Sequence, residues 1–156
     1  GDLEARAQMM WASSLAHNDL TGCGRNKTFT AHKIEHDLSG AHDTITHGAG
    51  LAAVFPAWCL YEYRNGPERF YQWAVEVWGA APYRDHEKTV REGVDRMKAR
   101  YRSWGMPTTM AELGIMRTEY DHLADLTTEG DTKKLPSFGG PLGKQEILQI
   151  YHLMEA

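Results

Sequence analysis

Cysteine is nearly absent from this chain of 156 residues: only Cys23 and Cys59 occur. Two thiols make no disulfide framework, so the fold must be held by packing, and a reducing cytoplasm is the expected compartment. A basic surplus is missing too. Seventeen Lys and Arg stand against 21 Asp and Glu, a net charge of −4, which leaves nothing to neutralise phosphates and argues against a nucleic-acid partner. Long apolar runs are also lacking. The longest, Gly48 to Tyr61, is broken by Pro56 and is too short to cross a bilayer, so no membrane association is expected. The first residues, Gly-Asp-Leu-Glu-Ala-Arg, form no signal peptide. No alternating polar and apolar stretch announces a strand, and no repeat is found.

What remains is helical periodicity. Apolar residues 42% and charged residues 24% of the total are ordinary for one globular domain. Leu3, Ala7, Met10, Trp11 and Leu15 predict a first helix to His17, broken by Gly22, Gly24 and Asn26. Further helices are predicted over about Phe29–Leu38 (stopped by Ser39 and Gly40), His47–Tyr63, from Pro67 past Trp78, Asp85–Trp104, a short one over Met110–Leu113, Arg117–Leu126 and Lys144–Met154. In the long one, Val90, Val94, Met97 and Tyr101 mark the inner face, while Lys88, Arg91, Glu92, Asp95, Arg96, Lys98 and Arg100 read as a solvated face. The result is an all-α helical bundle occupying residues 1–156 as a single domain. Because the chain starts inside an amphipathic helix, sequence upstream of it is expected.

Four of the eight histidines fall within sixteen residues: His32, His36, His42 and His47. On a helix His32 and His36 are four apart and share a face. A short connector can fold His47 back towards them at the start of the next helix, where Gly48 and Gly50 permit close backbone approach. Imidazole suits both zinc and ferrous iron, so the cluster is a candidate metal site. The zinc-protease motif His-Glu-x-x-His is not present, since Glu35 directly precedes the second histidine. A pair at this spacing also arises often by chance. Spacing alone therefore leaves a metal site and ordinary surface or core histidines both open.

The segment His32-Lys-Ile-Glu-His36, with Leu38-Ser39 and then Thr46-His47-Gly48-Ala49-Gly50-Leu51-Ala52, resembles the iron-containing (group III) alcohol dehydrogenases, in particular their butanol dehydrogenase-like branch. Phe55-Pro56-Ala57-Trp58, Trp104-Gly-Met-Pro-Thr-Thr109, Glu112-Leu113-Gly114 and the terminal Ile147–Tyr151 extend the likeness along the chain. The resemblance implies the helical C-terminal domain of those enzymes, a dehydroquinate synthase-like α domain, with its first helices and the nucleotide-binding domain lying outside this sequence. It implies a divalent metal, Fe2+ or Zn2+, held by His32 and His47 together with an aspartate and a histidine not found here. His36 is then expected beside the nicotinamide and the substrate as a catalytic, proton-moving residue. NAD(P) would bind through the absent domain, the substrate would be a small alcohol or aldehyde, and the assembly a homo-oligomer, a dimer. Reversible hydride transfer follows, with the isolated chain inactive.

Fourteen residues separate His32 from His47, one more than the family pattern, and the extra residue falls between Gly40 and Thr46. That places His42, otherwise read as an exposed loop residue, as an outside candidate ligand. Cys23 in its Gly-Cys-Gly turn reads either as lining a substrate channel or as a small buried thiol, and Phe138 either as closing over the substrate pocket or as packing. His86, His122 and His152 read as exposed. Two other classes stay open: a self-contained metallohydrolase using His32, His36, His47 and Asp43, and a non-enzymatic helical interaction module.

Overall fold

A computed structural model describes residues 1–24 and 27–156. Among these residues seven helices carry the fold: α1 (Leu3–His17), α2 (Thr30–Ala41), α3 (His47–Glu62), α4 (Pro67–Trp78), α5 (His86–Ser103), α6 (Tyr120–Thr128) and α7 (Lys144–Leu153), with single turns of tighter helix at Leu20–Gly22, Tyr63–Asn65 and Arg117–Glu119. Among the described residues there is no strand, only one isolated bridge between Leu135 and Leu142. Asn26, expected to help break α1, lies outside the described residues. Among the described residues no helix is long and apolar enough to cross a membrane.

α3 is the axis of the bundle. Its sequence is apolar around the whole circumference, and it buries residues on several sides at once, from Gly50 and Ala53 to Trp58 and Glu62; a helix apolar all round belongs inside. It packs on α2, α5 and α7. Ile34 and Leu38 from α2, Val94 and Met97 from α5, Leu123 from α6 and Ile147, Ile150 and Tyr151 from α7 close around it, each at most 1% exposed. Of the predicted inner positions of α5, Val90, Val94 and Met97 are buried and Tyr101 is half-buried against the core. α4 begins with Pro67 at its first turn, ends at Gly79 in the left-handed conformation (φ 65°) and packs on α5. α1 differs: none of its residues is buried, and Leu3, Met9, Met10 and Trp11 stand exposed.

Several expectations need correction. α2 runs through Ser39 and Gly40 to Ala41. Ser39 turns its hydroxyl back onto the Glu35 carbonyl (3.3 Å) instead of capping, and Leu38, fully buried, anchors the last turn. The short helix over Met110–Leu113 does not form. One turn closes, with the Leu113 N–H bonding the Thr109 and Met110 carbonyls, and Gly114 at φ 81° then leads the chain away. Lys98 is not on a solvated face. It is 9% exposed and donates to a main-chain oxygen of Ala156, and burial lowers its pKa.

Glu62, at the end of α3, is fully buried. One carboxylate oxygen accepts from Asn65 Nδ2 (3.0 Å), a main-chain bond from Gly139 reaches the same carboxyl group, and Oε1 has no partner among the described residues. Burial raises its pKa from the ordinary 4.5, against the smaller opposing pull of those two bonds. A raised carboxyl pKa means the folded state holds the proton longer than the unfolded chain. Stability from this group is therefore complete below pH 4.5 and is lost as pH rises through the folded value. Glu62→Gln is expected to flatten that decline in urea unfolding measured from acid to neutral pH. An unchanged pH slope in the variant would show that Glu62 does not govern it.

Candidate functional site

α2 and the first turn of α3 bring three imidazoles together. His32 and His36 project from successive turns of α2, their ring centroids 6.4 Å apart, and His47 opens α3 with its ring 5.3 Å from that of His32 and 5.2 Å from that of His36. The connector from His42 to Thr46 makes this possible. Ile45 is buried beneath it and its N–H bonds the His42 carbonyl (2.9 Å), making a tight return. Phe29 packs edge-on against His32 at 5.2 Å, and His17 packs against Phe29 at 6.1 Å.

Beneath the cluster lies a residue that the histidine spacing did not nominate. Glu35 is fully buried, and its Oε2 accepts a hydrogen bond from His47 Nδ1. Glu35, His36 and His47 each place one donor atom within 4.8 Å of the others. The only signal in the sequence was position: an acid next to Ile34 and between Ala31 and Leu38, on the face of α2 that turns inward.

The donor chemistry suits a divalent cation, with His32 lying outside the close group of Glu35, His36 and His47, its ring 5.3 Å from that of His47. His32 has its pKa lowered, first by burial and then by the neighbouring His47, His36 and His17, so at neutral pH it is an uncharged imidazole with a lone pair to give. The Glu35 carboxylate occupies one nitrogen of His47, which leaves the other for coordination. Against this cluster opens a cavity of about 420 Å³ lined by His32, Gly48, Leu51, Ala52, Phe55, Tyr101, Trp104 and Met106. Its wall is almost wholly apolar apart from the imidazole.

The remaining candidates fall elsewhere. His42 is neither loop-exposed nor in the cluster. It is half-buried at the end of α2, with Nε2 3.1 Å from Glu119 Oε2. Asp43 is exposed and outside the donor group. Cys23 is exposed, not a buried thiol, and its Sγ rests 3.6 Å from the Asp19 carbonyl. Phe138 is 51% exposed and packs on Trp58 at 5.8 Å. It borders a second, smaller hollow of about 210 Å³ with Phe55, Phe70 and Trp73; of these residues only Phe55 also lines the cavity beside His32. His122 and His152 are exposed, whereas His86 is half-buried against Tyr71 (4.3 Å).

Comparison with known proteins gives the family and the fold. The profile of the Fe-containing alcohol dehydrogenase family, C-terminal, matches residues 1–154. The chain is 32% identical over 151 residues to NADH-dependent butanol dehydrogenase A of Clostridium acetobutylicum, covering 96% of this chain and 38% of that protein. The crystal structure of NADH-dependent butanol dehydrogenase A from Thermotoga maritima superposes with a TM-score of 0.88 at 29% identity, over 99% of this chain and 40% of that one. The aldehyde reductase YqhD of Escherichia coli, at 22% identity and a TM-score of 0.86, shares the fold. The chain thus spans well under half the length of the relatives it matches.

Proposed function

Because the chain belongs to the Fe-containing alcohol dehydrogenase family, in its C-terminal part, we propose that it is the metal- and substrate-bearing helical half of an NAD(P)-dependent alcohol dehydrogenase. The observation that carries this reading is the meeting of His32, His36 and His47, with His32 also lining an apolar cavity. His32 and His47 would hold a ferrous or zinc ion through uncharged ring nitrogens, and imidazole serves either. When bound, the cation supplies Lewis acidity towards a substrate oxygen, and NAD(P) supplies the hydride chemistry.

The chain's own residues do the rest. The apolar wall formed by Leu51, Ala52, Phe55, Tyr101, Trp104 and Met106 takes the carbon chain of an alcohol or aldehyde and keeps water from it. His36, exposed within the cluster, would hold or release the proton that the substrate oxygen loses or gains. Cys23 and Phe138 contribute to the substrate path only if the remainder of a longer enzyme brings it past them.

Two histidines fall short of the three or four protein ligands that a catalytic site needs. The purified 156-residue chain is therefore expected to bind Zn2+ weakly and to show no NAD(P)H-dependent reduction of a short aliphatic aldehyde. Turnover above a metal-free control would overturn the half-site reading.

A further inference from the structure

We infer that Glu35 is a positioning residue for His47, fixing which imidazole nitrogen carries the proton and which is free for a cation, and that Gly50 is its necessary companion. The carboxylate is completely buried, and the imidazole is its partner: Oε2 accepts from His47 Nδ1, and Oε1 has none among the described residues. A buried carboxylate left half-satisfied is costly, so the bond it does make is held firmly.

Space for it comes from α3. Gly50 lies on the helical turn after His47, and a Cβ built there would overlap the Glu35 side chain, with Cδ at 2.9 Å and Oε1 and Cγ nearer still. Only glycine lets the carboxylate reach beneath the first turn of α3. His47 is half-exposed while Glu35 is fully enclosed, so the Nδ1 edge of the ring faces inward. With the Nδ1 proton given to Glu35, the lone pair of His47 falls on Nε2, and the ring lies 5.3 Å from that of His32 and 5.2 Å from that of His36. Although Glu35 could itself be counted among three donors within 4.8 Å, its oxygen is already engaged and lies on the wrong side of the ring to share a cation with Nε2. It acts through His47.

The experiment reads the tautomer directly. Long-range proton–nitrogen NMR correlations of the metal-free chain, recorded above the imidazole titration range, are expected to show His47 as the Nδ1–H form. Glu35→Leu should convert it to Nε2–H, and Gly50→Ala, which keeps both partners but crowds the carboxylate, should shift it the same way. Zn2+ competition titration should give an affinity about 10–100-fold lower for both variants. An Nε2–H ring in the unsubstituted chain overturns the inference even if neither variant folds, and so does an unaltered tautomer in Glu35→Leu. The metal arm rests on the proposed role of His47 as a ligand. A changed tautomer with unchanged Zn2+ affinity would remove that role while the positioning bond stands.

Discussion

His47→Ala is expected to lower Zn2+ affinity by more than about a hundred-fold, since loss of an outer hydrogen-bond partner alone costs 10–100-fold, and also to destabilise the metal-free fold by roughly 1–3 kcal/mol. His32→Ala is expected to lose affinity alone. The difference follows from what each imidazole leaves behind. Removing His47 takes away the partner of Glu35 Oε2, and because Oε1 already has none, a fully buried carboxylate is stranded without any bond to its side chain. His32 strands nothing, for it makes no side-chain hydrogen bond among the described residues and loses only ring contacts with Phe29, His36 and His47. Alanine in its place on α2 is also the best helix former, which offsets the lost packing. Zn2+ competition titration and urea unfolding in the presence of a chelator measure the two quantities separately. Equal stability losses in the two variants, or undiminished affinity in either, would contradict the assignment of both rings to one centre.

The same contrast shows where sequence reasoning reaches and where it stops. Inner faces of helices were readable because their signal is local: Val90, Val94 and Met97 recur at intervals of three and four, and all three are buried. The histidine cluster was readable for a similar reason, as His32 and His36 share a helix face and His47 follows a short connector. Glu35 was not, because its meaning depends on a pairing across two helices. Nothing near position 35 says that α3 will pass over it with a glycine at the point of contact. His42 went astray for the same cause, since its partner Glu119 is far along the chain. Local stop signals were overruled in the opposite sense: Ser39 and Gly40 favour an ending, yet buried Leu38 held α2 in register to Ala41. Lys98 was placed by its charge on the wrong face, where only tertiary structure supplied the Ala156 oxygen.

Gly93→Leu is expected to cost about 3 kcal/mol, the upper end of overpacking, and to deform the cavity beside His32. At Gly93 the backbones of α4 and α5 are in close approach: an added Cβ would stand 2.6 Å from Ala74 Cβ and 3.0 Å from Ala74 Cα. The second of these is main chain and cannot swing aside. Even Gly93→Ala, which gains up to about 1 kcal/mol of helix propensity, should therefore come out destabilising. Ala74 is itself fully buried, so the strain is relieved only if α4 and α5 separate. Ala74→Gly in the same chain removes one of the two clashes and should restore part of the loss, giving a favourable coupling in a double-mutant cycle by urea unfolding. A Gly93→Ala chain more stable than the original would show that the helices are not held this closely. The effect reaches the candidate site because α5 carries Tyr101 into the cavity wall and Trp104 just beyond its end. The close approach at Gly93 is to Ala74 and Trp73 of α4, whereas the histidines are carried by α2 and the start of α3. Zn2+ affinity should survive the substitution while the apolar cavity does not, so the two halves of the site can be damaged one at a time.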